Sequence, residues 1–353
     1  MKGEYRIIGL MSGTSLDGLD LVDCSYYFES KWQYKVHQSI TIPYPSALLE
    51  RIQQAMSCSG LELMQLHHDI GLWVGKTIKK ILTEPKETYD CIVSHGQTIF
   101  HQPNKGFTTQ IGNGAVIYAT TGIPTLCDLR SIDVALGGQG APLVPIGDLL
   151  LFQDYPICLN LGGIANLSIQ SGLNIKAYDI CGCNLLLNPI ANQLGLEYDR
   201  KGEIASKGLI DQNLFNELNS NPFFHLATPK SLGLEHIQAF EYKKINHSKI
   251  SIENKLHTIS HHIAYQISLH INDKTLITGG GAHNQFLIEL IQAYSKHEIV
   301  LPNKETIDFK EAIIFGFLGA LKRHNQDNCL SEVTGSQTNH IGGALYGNWD
   351  KYL

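Results

Sequence analysis

Three charged side chains are the strongest candidates for chemistry in this sequence. Asp179 follows a predicted strand at residues 174–178. Arg130 lies in the segment Asp-Leu-Arg-Ser-Ile-Asp, and Glu311 lies in a predicted helix at residues 308–322. A carboxylate at the end of a strand is well placed to act as a general base. A guanidinium can bind a carboxylate through two parallel hydrogen bonds.

Each of these side chains also has a structural alternative that the residues alone leave open. Asp179 precedes a predicted helix, and aspartate is a good N-cap residue. Arg130 has Asp128 and Asp133 close by in sequence and could pair with either. Glu311 could be a solvated glutamate that the helix dipole favours in a first turn.

A polar turn with two glycines follows the first apolar run of the chain. Residues 9–20 are Gly-Leu-Met-Ser-Gly-Thr-Ser-Leu-Asp-Gly-Leu-Asp, and the apolar runs on either side predict two strands. Glycine and small residues let main-chain N–H groups approach an anion, as they do in phosphate loops. Asp17 adds a carboxylate that could hold a metal ion. An ordinary polar hairpin turn is the alternative.

Two later glycine segments also lie between predicted elements. Residues 161–166, Leu-Gly-Gly-Ile-Ala-Asn, join two strands and repeat the strand–turn–strand order of the N-terminus, which suggests duplicated halves. Residues 279–281 are three glycines between a strand and a helix, where a phosphate or a flat ligand can approach closely. Neither the Rossmann fingerprint nor the Walker pattern is present.

A polar cluster follows the strand predicted at residues 89–94. It reads Ser-His-Gly-Gln-Thr at residues 94–98 and contains His95 and Gln97. Proteins of the α/β class place ligand groups at such strand ends. A hydrogen-bonded histidine in a turn is the alternative.

These motifs, in this order, resemble the anhydro-N-acetylmuramic acid kinases, a family of the actin, hexokinase and heat-shock ATPase superfamily. The resemblance covers the chain from about residue 7 to residue 345. Asp179 and Asn184 match the family segment Asp-Thr/Cys-Gly-Pro-Gly-Asn, but this chain reads Asp-Ile-Cys-Gly-Cys-Asn and lacks the Gly-Pro-Gly. Leu232 and Leu234 depart from the family segment Pro-Lys-Ser-Thr-Gly-Arg-Glu.

The resemblance implies a two-lobed α/β fold, the actin-like ATPase or ribonuclease H-like fold, with duplicated lobes around a central cleft where the phosphate loops meet. The N-terminal lobe would span residues 1–145 and the C-terminal lobe residues 146–353. A run rich in glycine and proline at residues 137–145 would be the hinge or crossover between them.

The resemblance also implies a function. The family uses ATP to open 1,6-anhydro-N-acetylmuramic acid hydrolytically and to phosphorylate it to the 6-phosphate, in peptidoglycan recycling and amino-sugar catabolism. Asp179 would be the catalytic base, and the predicted sugar-side residues are Arg130, Glu311, His95 and Gln97. The predicted ATP contacts are Gly13, Thr14, Ser15, Leu16, Asp17, Gly18, Leu19, Asp20, Gly162, Gly163, Asn166, Gly279, Gly280 and Gly281. Mg²⁺ would be held by Asp17, directly or through water.

Composition limits the other possibilities. The 353 residues, with 17% charged and 43% apolar side chains, fit a globular chain of two domains. A net charge of −6 without a basic run argues against nucleic acid or an anionic membrane as a partner. Eight scattered cysteines and no apparent leader favour a cytoplasmic protein. A homodimer is left open.

Two rival functions remain at this stage. One is a kinase of the same fold that acts on another sugar, or a weakly active homologue. The other is an ATP-binding switch, as in the actin branch, without a small-molecule acceptor.

Overall fold

The computed structural model describes residues 3–13, 16–172, 174–228 and 230–349. The strands in this part of the chain are β1 (Glu4–Ser12), β2 (Leu19–Phe28), β3 (Trp32–Ile42), β4 (Cys91–Gln102), β5 (Phe107–Ile111), β6 (Thr125–Cys127), β7 (Ile157–Leu161), β8 (Ile164–Ser171), β9 (Asn174–Gly182), β10 (Thr275–Thr278), β11 (Ile299–Val300) and β12 (Ala344–Tyr346).

The α-helices in the same residues are α1 (Ser46–Gln54), α2 (Gly60–Ile81), α3 (Gly114–Thr121), α4 (Ser131–Ala135), α5 (Pro145–Leu151), α6 (Asn184–Asn192), α7 (Gln212–Asn219), α8 (Leu234–Ile237), α9 (Lys243–His247), α10 (Ile252–Ser268), α11 (Gln285–Tyr294), α12 (Lys304–Arg323) and α13 (Ser331–Thr334). A π-helical turn, Gln238–Tyr242, joins α8 to α9. None of the helices described combines the length and apolarity that crossing a bilayer requires.

The chain forms two compact units. The first comprises Met1–Leu151 and Phe309–Leu353, and the second comprises Phe152–Asp308. The lobe boundary expected between residues 145 and 146 places the C-terminal segment, Phe309–Leu353, in the second lobe. The segment belongs instead to the first unit, because α12 packs against β1 in its later turns.

The first unit contains one mixed sheet. Its strands lie in the order β12-β6-β4-β1-β2-β3, and β5 pairs with β4. β1, β2 and β3 form an antiparallel meander. β4 is parallel to β1, and β6 is parallel to β4. The two strands predicted on either side of the first glycine turn are therefore confirmed.

The second unit repeats this plan. Its sheet has the order β11-β10-β7-β8-β9. β7, β8 and β9 form an antiparallel meander, β10 is parallel to β7, and β11 is parallel to β10. The five strands of this sheet match β6, β4, β1, β2 and β3 in order and direction, and β5 and β12 are additions to the first sheet. This repetition confirms the predicted actin-like, ribonuclease H-like fold with duplicated units.

Close packing of a helix on the sheet of the first unit explains where Glu311 is held. A Cβ atom on Gly9 of β1 would lie 2.2 Å from the carbonyl oxygen of Ala312 in α12. Gly316, one turn further, likewise approaches Tyr26, whose hydroxyl donates to the carbonyl oxygen of Ile313 at 2.6 Å. The helix therefore lies directly on the sheet because glycine occupies both sides of the contact.

Candidate active site

The guanidinium of Arg130 is held by a histidine from the neighbouring strand. His95 lies in β4, and its Nε2 accepts from Nε of Arg130 at 3.0 Å and from Nη2 at 2.8 Å. Nδ1 of His95 donates to the carbonyl oxygen of Gly96 at 2.7 Å. Nη1 of Arg130 donates to the carbonyl oxygen of Gly140 at 2.6 Å. Burial and the charge of Arg130 lower the pKa of His95 to about 3, so His95 is a neutral acceptor.

Arg130 keeps its charge in a site that desolvates it. Burial lowers the pKa of Arg130 to about 10, and the guanidinium lies 5.9 Å from the ring centre of Phe315. The pairing with Asp128 or Asp133 is not formed. Asp128 accepts from the hydroxyl of Ser131, and Asp133 accepts from the main chain. Within the described residues Arg130 makes no ion pair, so its remaining N–H groups are available to an anionic ligand.

Glu311 is a largely buried carboxyl group in the middle of α12. It is the eighth residue of the helix, not a first-turn residue as the helix predicted from residue 308 implied, because α12 begins at Lys304. Burial raises the pKa of Glu311, Arg130 and Lys310 oppose the rise, and Asp20 and Asp148 add to it. The carboxyl group makes no hydrogen bond or ion pair with a described residue. A solvated glutamate is therefore the wrong interpretation.

Gln97 is fixed by a small polar network at the end of β1. Its Oε1 accepts from the hydroxyl of Ser12 at 2.6 Å, and Ser12 also contacts the hydroxyl of Tyr44. Gln97 is 2% exposed. Its amide nitrogen has no hydrogen bond to a described residue, so it can donate to a ligand. The strand β4 continues to Gln102 and does not end at residue 94 as predicted, so His95 and Gln97 lie within a strand.

The first glycine turn joins β1 to β2. Two of its predicted ATP contacts, Thr14 and Ser15, lie outside the described residues. Leu16 and Gly18 have positive φ angles of 61° and 155°. A Cβ atom on Gly18 would lie 2.6 Å from the carbonyl oxygen of Ile42, so glycine is required there.

The other residues of this turn differ in exposure. Gly13 is partly exposed, and Asp17, the predicted metal ligand, is exposed. Leu19 is a buried core residue of β2, so only its main chain is offered to a ligand. Asp20 is half-buried and accepts from the hydroxyl of Thr41 at 2.6 Å.

Asp179 is clamped by a later segment of the second unit. Its Oδ2 accepts from the main-chain N–H of Leu232 at 2.8 Å and from the hydroxyl of Ser231 at 3.2 Å. Burial raises the pKa of Asp179, and these two hydrogen bonds oppose the rise. Oδ1 makes no hydrogen bond with a described residue. The carboxyl group thus has one oxygen that fixes it and one that is available for proton transfer.

The structure corrects the surroundings predicted for Asp179. β9 continues to Gly182, so Asp179 lies within a strand rather than at its end. The next helix, α6, begins at Asn184 rather than residue 185, and its N-cap is Cys183 without a side-chain hydrogen bond. Asp179 is therefore not a helix cap. It lies opposite Asn166, where the pairing of β8 with β9 shifts register.

The second glycine turn is anchored to the start of α6. The main-chain N–H groups of Cys183 and Asn184 donate to the carbonyl oxygens of Gly163 and Gly162 at 2.8 and 3.2 Å. Nδ2 of Asn184 donates to the carbonyl oxygen of Leu161 at 3.2 Å. The turn and the segment that lacks the family's Gly-Pro-Gly therefore hold each other in place.

The third glycine segment packs onto the same strand end. Gly279 has a φ of 85°, and a Cβ atom there would lie 2.3 Å from Oδ1 of Asn160. A Cβ atom on Gly281 would lie 2.7 Å from that of Leu161. Gly280 has open space, its nearest neighbour being Asn184 at 3.9 Å. Two of the predicted ATP segments, residues 162–166 and 279–281, thus lie together in the second unit.

Comparison with known proteins identifies the family. The model of the anhydro-N-acetylmuramic acid kinase family matches residues 5–348. The chain belongs to this family. A protein of that name from Bacillus cereus is 33% identical over an alignment of 375 positions. The alignment covers 96% of this chain and 98% of that protein. Another, from a Sulfurovum species, is 32% identical over an alignment of 361 positions. That alignment covers 97% of this chain and 99% of the relative.

Solved structures show more distant likenesses. An activator of 2-hydroxyisocaproyl-CoA dehydratase from Clostridium difficile, with bound ADPNP, is 14% identical over 91% of this chain and 97% of its own, with a TM-score of 0.42. A glucokinase of the ROK family from Streptomyces griseus, with glucose and AMPPNP, is 9% identical over 88% and 97%, with a TM-score of 0.38.

The family assignment makes this chain an ATP-dependent sugar kinase. The two rival functions, a kinase for another sugar and a switch without an acceptor, are not favoured. The kinase also contains supporting residues that sequence reasoning missed. Ser231 fixes Asp179, and Ser12 fixes Gln97. Ser231 lies in the segment that resembled Pro-Lys-Ser-Thr-Gly-Arg-Glu, and that resemblance was the available signal.

Proposed function

We propose that this kinase opens the anhydro ring of 1,6-anhydro-N-acetylmuramic acid with water and transfers the γ-phosphoryl group of ATP to the freed 6-oxygen, with Asp179 as the general base. The assignment of Asp179 as the base rests on how its carboxyl group is held. One oxygen is fixed by Leu232 and Ser231, the other makes no hydrogen bond with a described residue, and burial raises the pKa of the group.

Asp179 would act on the attacking water. As the water oxygen bonds to the anomeric carbon, its proton passes to the free oxygen of Asp179, and the bond from that carbon to the 6-oxygen breaks. The 6-oxygen then carries the electron pair that attacks the γ-phosphorus, and ADP leaves. A raised pKa suits this role, because it makes the carboxylate a stronger base than an exposed aspartate.

Arg130 would bind the lactyl carboxylate of the sugar. His95 orients the guanidinium from Nε and Nη2, and Gly140 holds it from Nη1. Because desolvated charges attract strongly, this arrangement favours an anionic substrate over a neutral one. Glu311 and the amide nitrogen of Gln97 would then bind hydroxyl or acetamido groups of the sugar.

The glycine segments would hold the nucleotide. Gly279 and Gly281 have no room for a side chain, and Gly280 leaves an open surface, which fits close approach of a flat or phosphorylated ligand. Asp17 is an exposed carboxylate in the first glycine turn, and oxygen ligands of this kind suit Mg²⁺. Mg²⁺, when bound, would neutralise charge on the phosphates.

Location and assembly are also part of the proposal. A cytoplasmic location is supported by the eight cysteines, all of which are free. A homodimer stays a prediction, which sedimentation of the purified kinase would test.

The test measures release of ADP from Mg-ATP with and without anhydro-N-acetylmuramic acid. We expect wild-type turnover to depend on the sugar, and Asp179→Asn to lose about 10²–10⁴-fold. Asp211→Asn is the matched control, because Asp211 is a carboxylate of the same unit that caps α7. Turnover of Asp179→Asn within tenfold of the wild type would contradict the assignment of the base. Release of ADP at the same rate with and without the sugar would contradict the assignment of the substrate.

A further inference from the structure

A buried group of three potential metal ligands lies in the first unit, apart from the residues assigned to the sugar. Asp133, Cys329 and His340 are buried, and their ligand atoms all lie within 4.8 Å of one another. We call this group the Asp–Cys–His cluster. Asp133 belongs to α4, whereas Cys329 and His340 lie on the two sides of α13.

The main chain holds two of these ligands in a fixed register. Cys329 and His340 form an isolated antiparallel β-bridge. The N–H of Cys329 donates to the carbonyl oxygen of His340 at 3.2 Å, and the N–H of His340 donates back at 3.3 Å. The cluster therefore does not depend on flexible loops to bring a thiol and an imidazole to the same side of the bridge.

The distances suit one small divalent cation. Sγ of Cys329 lies 3.2 Å from Oδ1 of Asp133, and Nε2 of His340 lies 3.8 Å from the same oxygen. A tetrahedral ion with bonds of about 2.0–2.3 Å separates its ligands by roughly 3.3–3.7 Å. Shifts of a few tenths of an ångström would thus bring both donors onto a shared ion.

The imidazole of His340 supplies the second observation. Nδ1 is occupied by the carbonyl oxygen of Thr338 at 3.2 Å, to which it donates. Nε2 is then the ring nitrogen with the lone pair. It is buried, has no hydrogen-bond partner among the described residues and faces the carboxylate of Asp133. A buried nitrogen lone pair opposite a carboxylate is unfavourable unless a proton or a metal cation lies between them.

The charge of the metal-free cluster differs from its charge with a cation bound. Burial acts to raise the pKa of Asp133, but hydrogen bonds from Thr334, Gly140 and Cys329 outweigh it and lower the pKa. Asp133 is thus a buried negative charge. Burial and this charge raise the pKa of the Cys329 thiol. A divalent cation bound to the carboxylate and the thiolate would leave the buried cluster neutral.

We propose that Asp133, Cys329 and His340 bind one zinc ion. A thiolate, an imidazole and a carboxylate are the ligand types that Zn²⁺ prefers. On binding, the ion takes the place of the thiol proton on Cys329, and that proton leaves to solvent. Thr334 and Gly140, which donate to Asp133 at 2.7 and 2.6 Å, orient the carboxylate from the second layer.

The zinc site would also brace the loop that holds Arg130. Gly140 donates its N–H to Asp133 and accepts from Arg130 through its carbonyl oxygen. One peptide group therefore links the cluster to the guanidinium. With three protein ligands, the fourth position of the ion would be left to water. None of the three ligands is among the sugar-side residues.

The experiment uses the full-length kinase freed of metal and titrated with Zn²⁺ or Co²⁺ alone. We expect about one Zn²⁺ per chain to remain after gel filtration, and a higher melting temperature with the ion bound. Co²⁺ should give an intense thiolate-to-metal absorption band. Failure of the wild-type protein to retain Zn²⁺, at micromolar protein and equimolar metal, would overturn the proposal.

Variants locate the site. Cys329→Ser and His340→Gln should each lower bound Zn²⁺ at least tenfold, and Cys329→Ser should abolish the cobalt band. Cys127→Ser removes a thiol of the same unit outside the cluster and should keep both. Retention of the ion and the band by both cluster variants would assign the metal to other residues and overturn the proposal. Two different variants and a wild-type measurement keep the test decisive if one variant folds poorly.

Discussion

The two units share one strand order and differ in how each turns its first hairpin. In the first unit β1 ends at Ser12 and β2 begins at Leu19, so six positions separate the two strands. In the second unit β7 ends at Leu161 and β8 begins at Ile164, which leaves two glycines. The two sheets have the same core strand order. The connection between the first two strands is longer in the first unit, so it offers more main-chain groups to a ligand.

The units also differ in the chemistry they expose. The first holds charged and polar side chains, Arg130, Glu311 and Gln97, whose hydrogen-bonding groups are not all used by the described residues. The second holds closely packed glycines and the carboxyl group of Asp179, which Leu232 and Ser231 hold through one oxygen. Under the proposed function, the first unit would bind the sugar and contact the nucleotide through its glycine turn, whereas the second would supply the base and the other nucleotide contacts. Each prediction below tests one side of this division.

Apart from loss of the base itself, the largest effect should come from the cation of the first unit. Arg130→Lys keeps a charge but loses the planar fork held by His95 and Gly140. We expect kcat/KM for anhydro-N-acetylmuramic acid to fall about 10²-fold or more, equivalent to roughly 3 kcal/mol. With anhydro-N-acetylglucosamine, which lacks the lactyl carboxylate, the variant and the wild type should differ little.

The control for this change is Arg51→Lys, at an exposed arginine that pairs with Asp69. It should leave both sugars unaffected. An equal loss with both sugars would mean that Arg130 supports the fold rather than the carboxylate. That result would contradict the proposal that the first unit binds the sugar through Arg130.

The glycines of the second unit should differ sharply from one another. Gly279→Ala puts a Cβ atom 2.3 Å from Asn160 at a φ of 85°, so we expect the free energy of unfolding to fall by about 1–3 kcal/mol. Gly280→Ala meets nothing closer than 3.9 Å and should change stability by less than about 0.5 kcal/mol. Chemical denaturation of both variants measures the difference, and equal effects would contradict close packing as the reason for the glycines.

Sequence patterns predicted the strands and hairpins better than the contacts of the candidate site. The hairpins β1–β2 and β7–β8 were predictable because apolar runs bound glycine turns. β4 and β9 were predicted too short, because polar residues inside a strand look like strand ends. In β4 the polar residues flank Gly96, whose φ of 75° kinks the strand.

The contacts that define the site could not be predicted from the residues. His95 and Arg130 are 35 positions apart, and Asp179 and Leu232 are 53 apart. Neither pair belongs to one element or one turn, so periodicity and spacing carry no signal for them. Glu311 was assigned to the sugar by resemblance alone, since its burial depends on the glycine contact of α12 with β1.

A buried neutral histidine in each unit allows their acid stability to be compared. Burial lowers the pKa of both His95 and His262 to about 3, whereas an unfolded histidine has a pKa of about 6.5. Between these values the unfolded chain binds a proton that the folded unit does not. Stability therefore falls as pH falls from about 6.5 to 3, by up to about 1.4 kcal/mol per pH unit for each histidine.

His262→Asn should flatten this dependence in the second unit only. Asparagine can still donate to Oδ1 of Asn219, as Nδ1 of His262 does at 2.9 Å. Calorimetry at pH 7 and pH 5 would measure the loss of stability, with His247→Asn, at an exposed histidine, as the control. An unchanged difference between the two pH values in His262→Asn would show that this histidine does not set the acid sensitivity.

The smallest effect should come from removing the hydroxyl of Ser231, which donates to Asp179. Burial raises the pKa of Asp179, and the hydrogen bond from Ser231 opposes the rise, so Ser231→Ala should raise this pKa further. A base works when deprotonated, so the acidic limb of the kcat/KM profile should move to higher pH by less than about one unit. The plateau at high pH should be nearly unchanged, because the N–H of Leu232 still holds the same oxygen.

The profile of Ser206→Ala provides the baseline for this shift, since Ser206 is an exposed serine of the same unit. A limb that moves to lower pH, or does not move, would mean that another group titrates there. A loss of rate at every pH would instead show that Ser231 positions the carboxyl group rather than tuning it. The position of the acidic limb therefore separates an electrostatic role in the second unit from a purely geometric one.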